Sequence, residues 1–169
     1  NASKTKFYPY QFKPLIKFLD SPKNRIIICD EVGLGKTIEA GMILTELRAR
    51  YNMQKVLVVC PANLTSKWKI ELKTRFTEDF EIVKKKKFMS YLDEIQDYPD
   101  QTLNAIISIE SIRNDEIINR LKEQMPDFDL VIFNEAHKLR NKTTNQWEIG
   151  KTISNLSQSM VMLTATPIH

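Results

Sequence analysis

The chain has 169 residues, 42% of them hydrophobic, with 25 basic and 21 acidic side chains and a net charge of +4. That size and apolar content fit one ordinary domain with a real core. The sequence reads as carrying no bilayer-spanning run and no secretory leader, and so mild a positive balance does not by itself mark a nucleic-acid binder.

Asn1-Ala2, with no initiator Met, reads as an expression scar, and residues 3–169 as one domain cut from a longer protein. Five continuous apolar runs follow: Arg25–Cys29, Val56–Cys60, Ala105–Ile109, Leu130–Phe133 and Met160–Leu163. Continuous rather than alternating runs suit strands buried on both faces of a parallel sheet. Helices are expected between them over Thr37–Tyr51, Leu64–Phe76 and Thr143–Leu156. In the first, Ala40-Gly41 would let the helix approach the sheet closely. In the second, Leu64, Trp68 and Leu72 repeat every four residues. In the third, Trp147 and Ile149 are expected to pack inward.

Glu81–Asn104 is harder to read. It holds Lys84–Lys87, taken as a solvated face, a helix around Lys87–Ile95, and a turn at Asp97-Tyr98-Pro99-Asp100 leading to the next strand. Cys29 and Cys60 lack metal-type spacing. Each ends an apolar run, so both are expected to be buried thiols in a reducing compartment. Alternating strands and helices predict an open α/β sheet, with ligands outside the carboxyl ends of its strands.

Three motifs fall just after predicted strands. Asp30-Glu31-Val32-Gly33-Leu34-Gly35-Lys36-Thr37 joins the first strand to the first long helix. Backbone N–H groups of such a turn surround phosphates, and the helix N-terminus adds partial positive charge. Gly33, Leu34 and Gly35 would form the turn. Lys36 would reach the β- and γ-phosphates of a nucleoside triphosphate, and the Thr37 hydroxyl would ligate Mg²⁺. The strict phosphate-loop pattern opens on Gly, where this chain has Asp30. Asn134-Glu135-Ala136-His137 follows the fourth run. A carboxylate at Glu135 can polarise an attacking water. Leu163-Thr164-Ala165-Thr166-Pro167 closes the series, with hydroxyls that can sense the γ-phosphate side.

With these motifs in order, the chain resembles the first RecA-like lobe of superfamily-two helicases, and more closely the Swi/Snf-type double-stranded-DNA translocases of the bacterial RapA/HepA-like branch. Asp30 belongs to that family's form of the phosphate loop. The resemblance implies a three-layer α/β RecA-like P-loop fold with a mostly parallel central sheet. It implies ATP and Mg²⁺ as cofactors and Lys36 and Glu135 as catalytic groups. Tyr8-Pro9-Tyr10-Gln11 resembles the adenine-reading element, with the Gln11 amide on the base edge; without the family, Gln11 would sit exposed on an amphipathic helix. His137, Thr164 and Thr166 resemble the residues coupling hydrolysis to motion. Pro61-Ala62-Asn63-Leu64 with Trp68, and Ser108-Ile109-Glu110-Ser111, resemble loops that grip DNA phosphates. Thr65, Ser66 and Lys67 could supply that grip, although a helix cap is the simpler role for Thr65 or Ser66.

The implied partners are double-stranded DNA, a second RecA-like lobe in the same protein, and RNA polymerase or another DNA-bound protein, with no membrane. The implied setting is a bacterial cytoplasm, at the nucleoid. The second lobe would supply arginines, so this lobe alone is expected to bind nucleotide without appreciable hydrolysis. The family's Asp-Glu-Ala-His reads Asn-Glu-Ala-His here. Asn134 can accept from a Mg²⁺-bound water but lacks the charge that balances the metal. It fits a natural variant that still works, a deliberately weakened site, or a relative that binds nucleotide as a gated clamp without turnover. A small P-loop kinase is disfavoured by Gln11 and by Thr164-Ala165-Thr166.

Overall fold

The computed structural model describes residues 6–29, 35–135 and 145–165. Six strands form one sheet in the order β1-β6-β5-β2-β4-β3, and every neighbouring pair is parallel. The strands are β1 Arg25–Cys29, β2 Lys55–Cys60, β3 Glu81–Val83, β4 Leu103–Ser108, β5 Phe128–Asn134 and β6 Ser157–Thr164. The helices are α1 Lys13–Asp20, α2 Lys36–Arg50, α3 Thr65–Phe76, α4 Lys85–Glu94, α5 Ile109–Ile112, α6 Asp115–Gln124 and α7 Asn145–Asn155.

Two hydrophobic cores flank the sheet and explain the continuous apolar runs. On β2, Leu57 and Val59 point to one side, where they meet Phe88 of α4, Ile118 of α6 and Ile153 of α7. Val56, Val58 and Cys60 point to the other, against Phe18 of α1, Ile43 of α2 and Trp68 of α3. The result is helix, sheet, helix, the expected three-layer α/β arrangement.

Strands at the sheet's edges depart from the expectation. β1 has no neighbour beyond β6 among the described residues, so it forms an edge of the sheet. Ile27 is 46% exposed, and Cys29 is exposed rather than buried. β3 closes the opposite edge. It spans three residues, too short to register as an apolar run.

The thiols therefore differ. Burial, and secondarily the negative charge of Glu110, push the Cys60 thiol up to about 12. At pH 8 it is protonated and non-nucleophilic. Ellman's reagent is expected to titrate Cys29 promptly in the native protein and Cys60 only after unfolding. Prompt reaction of both would contradict this packing.

Gly41 does allow a close approach, but to a helix rather than to the sheet. A Cβ there would lie 2.2 Å from Cε2 of Phe76, at the end of α3. In α7, Ile149 is buried as expected, whereas Trp147 is half-buried under Lys151, whose Nζ lies 5.1 Å from the ring centroid. The lysine block is a solvated face. Lys85 and Lys87 pair with Glu116 and Glu81, so part of its charge is neutralised locally. No helix among the described residues is long and apolar enough to cross a membrane.

Candidate nucleotide site

The strand register brings the motif residues to one end of the sheet. Cys29 is level with Thr164, Leu163 with Asn134, and Cys60 with Ser108. The carboxyl ends of β1, β6, β5, β2 and β4 thus form a row, where an open α/β sheet binds ligands.

Gly35 opens α2 in the left-handed region, at φ +88°. The first N–H groups of a helix have no partner within it, so this end presents donors and the positive pole of a 15-residue helix. Gln11 is 2% exposed. Its Oε1 accepts from the N–H of Tyr8 at 2.9 Å. Its Nε2 would be 2.6 Å from a Cβ on Gly35. The amphipathic-helix position with an exposed glutamine is therefore wrong. The 3-10 turn Pro9–Phe12 folds Gln11 inward against the start of α2.

Gly35 is thus required twice, by its dihedral and by Gln11. Gly35→Ala is expected to lower stability by about 1–2 kcal/mol in urea denaturation, from left-handed strain alone. Combining it with Gln11→Ala should recover part of the loss, because the two side chains would compete for one space.

Across the site, β5 ends at Asn134, 8% exposed, and Glu135 follows at φ +66°. A non-glycine residue in that region is strained and needs local support. Asn134 provides it: its Oδ1 accepts from the Glu135 N–H at 3.0 Å. This task needs a side-chain oxygen and no charge, so an amide performs it as an acid would.

Lys36, Thr37, Asn134 and Glu135 share a cavity of about 330 Å³. α3 contributes Lys67, Trp68, Glu71 and Arg75 to its wall. Lys67 therefore stands with the candidate phosphate and water-activating groups, apart from Thr65 and Ser66. Neither of those caps α3. The chain enters through the 3-10 turn Ala62–Leu64, which makes Leu64 the cap residue, and no side chain caps the helix. Thr65 Oγ1 instead donates to the Ala62 carbonyl at 3.0 Å. Ser66 is exposed beside it.

Glu110, legible in the sequence only as part of its motif, joins two loops. Its Oε2 accepts from the Ala62 N–H at 3.0 Å, holding the loop after β2 to the one after β4. Ser108 caps α5, its Oγ accepting from the Ser111 N–H at 3.0 Å. Glu71 and Arg75 are further cavity residues that motif reading missed; their successive four-residue steps from Lys67 along one helix were the available signal. Thr164 is fully buried at the end of β6. Asp30, Gly33, Leu34, His137 and Thr166, with the terminal Asn1-Ala2, lie outside the described residues.

These groups fit a magnesium nucleotide. Hydroxyl, amide and carboxylate oxygens are hard donors suited to Mg²⁺. No cluster of three or more His, Cys, Asp or Glu able to hold a metal occurs among the described residues.

A parallel sheet between two helical layers, with a glycine-led helix N-terminus facing an Asn-Glu strand end, defines a RecA-like lobe of the P-loop type. The chain belongs to the SNF2-related domain family, whose model matches residues 11–169. Among similar proteins is the uncharacterized ATP-dependent helicase YqhH of Bacillus subtilis, 35% identical over 161 residues. That match covers 95% of this chain and 26% of YqhH. RNA polymerase-associated protein RapA of Photobacterium profundum is 30% identical over 147 residues, covering 85% of this chain and 15% of RapA. The chain therefore spans about a quarter or less of the length of these relatives. A solved Sulfolobus solfataricus SWI2/SNF2 ATPase core in complex with dsDNA superposes with a TM-score of 0.75 at 21% identity. The match covers 98% of this chain and 33% of that one, and the two share a fold.

Proposed function

We propose that this chain is the ATP-binding lobe of an ATP-driven double-stranded-DNA translocase. The observation that carries the reading is the cavity shared by Lys36, Thr37, Asn134 and Glu135. The likeness to YqhH, RapA and the DNA-bound SWI2/SNF2 core supports it.

In this reading the N-terminus of α2 and Lys36 bind the triphosphate, and Gln11 reads the adenine edge. Bound Mg²⁺, held by Thr37 and through water by Asn134, would screen the phosphate charge. Glu135 orients the attacking water and accepts its proton. Thr164, with His137 and Thr166, passes the state of the site to the rest of the protein. A second lobe contributes arginine charge worth about 10³–10⁵ in rate in related NTPases, so the lobe alone binds nucleotide with negligible turnover. Stepping through phosphate contacts makes DNA binding largely sequence-independent and weaker as salt rises. A DNA-bound assembly such as RNA polymerase is the proposed target, in a bacterial cytoplasm.

Asn134 favours one other reading, a nucleotide-gated clamp that closes on ATP without cycling. The test is phosphate release from the two-lobed protein, with and without duplex DNA, beside its Asn134→Asp form. A working motor gives DNA-stimulated release from both forms. Release absent from both forms would refute the motor.

A further inference from the structure

Asn134 leaves the site one acid short, and an unassigned acid lines the same cavity. Lys67, Glu71 and Arg75 stand at four-residue steps on α3, one stripe of the helix, facing the cavity that holds Thr37, Asn134 and Glu135. The Glu71 side chain is 21% exposed and lines this cavity. Lys67, 65% exposed, approaches Glu71 Oε1 only to 3.9 Å. That is beyond hydrogen-bond range, and a solvent-facing i,i+4 pair is worth little. Arg75, four residues on and exposed, makes no ion pair with Glu71 among the described residues. Glu71 thus brings a negative charge, held by no hydrogen bond to Lys67, to the cavity that Lys36 and Thr37 also line.

We propose that Glu71 supplies, from α3, the negative charge that Asn134 does not supply from β5, and so balances the divalent cation of a bound magnesium nucleotide. The inference rests on the nucleotide reading above. A divalent cation needs both oxygen donors and nearby negative charge. A carboxylate acting through a water need not stand on the strand that carries Glu135. Asn134 keeps the positioning half of the usual acid's work, holding the Glu135 N–H. Glu71 takes the electrostatic half. Glu71 is a positioning residue in this scheme, and Glu135 remains the group nearest the chemistry.

The test is equilibrium binding of a fluorescent ATP analogue to this chain as Mg²⁺ is raised from zero. Wild type is compared with Glu71→Gln, Asn134→Asp and the double variant, with thermal melting confirming that each is folded. Glu71→Gln is expected to raise the Mg²⁺ concentration needed for tight binding about tenfold, the usual scale for a partner acting through a metal's ligands. Affinity without Mg²⁺ should not fall. Asn134→Asp should restore the Mg²⁺ response in the double variant. A Glu71→Gln chain with the wild-type Mg²⁺ response overturns the proposal, as does a loss that Asn134→Asp leaves uncorrected. Nucleotide binding indifferent to Mg²⁺ in wild type also overturns it while leaving the nucleotide reading intact. No binding at all overturns both.

Discussion

Glu135→Gln, made in the two-lobed protein, is expected to cut ATP turnover by about 10²–10⁴-fold while leaving nucleotide affinity nearly unchanged. The size follows from the role. A glutamine keeps the shape of the side chain and can hydrogen-bond a water, but it cannot take the proton that water loses. Binding should survive because the groups proposed to hold phosphate lie elsewhere, at Gly35, Lys36 and Thr37 on α2. The backbone should also survive. The left-handed turn at residue 135 is supported by Asn134 Oδ1 through the main-chain N–H, which the substitution leaves in place. Phosphate release and analogue binding, measured on the same preparation, separate the two effects. A parallel loss of both would make Glu135 a folding or binding residue instead.

The largest effect on stability is expected at Trp68. It is 2% exposed, the bulkiest of the fully buried side chains among the described residues, and packs in the core shared by α1, α2, α3 and the sheet. Trp68→Ala removes those contacts and leaves a void that rigid strands on one side cannot fill, at a cost of about 3–5 kcal/mol. Against a total stability of about 5–15 kcal/mol for a domain, that is a large share. Melting should fall by on the order of 10 °C. Trp68 also lines the cavity proposed to hold nucleotide, so nucleotide should protect the variant less than the wild type. A loss below about 1 kcal/mol would mean that α3 does not hold this position in solution.

Much of the fold is legible in the sequence because burial on both faces leaves a local mark. Leu57 and Val59 serve one core while Val56 and Val58 serve the other, so β2 reads as an unbroken apolar run. The motif positions are legible for a related reason, since each follows such a run. Strand order leaves no comparable mark. Arg25–Cys29 looks as apolar as β2, yet it lies at an edge, and only the topology exposes Ile27 and Cys29. The helix α6 escapes the reading of apolar runs although its signals are present. Asn114 caps the Glu116 N–H at 3.0 Å, and Ile117, Ile118 and Leu121 share its buried face. Gly41 marks a point of close approach, but its partner is Phe76, far along the chain on a different helix. The cavity wall made by Glu71 and Arg75 is hidden for the same reason, because α2 and α3 meet through the fold and not through a motif.

This lobe is proposed to hold a nucleoside triphosphate at the start of α2. Calorimetric titration of the chain with ATP and Mg²⁺, beside its Lys36→Ala form, tests it most directly. Saturable binding displaced by ADP is expected, weakened about 10–100-fold in Lys36→Ala by loss of a charged hydrogen bond to phosphate. No saturable binding, or binding that ignores Lys36, would mean that the start of α2 is not a nucleotide site.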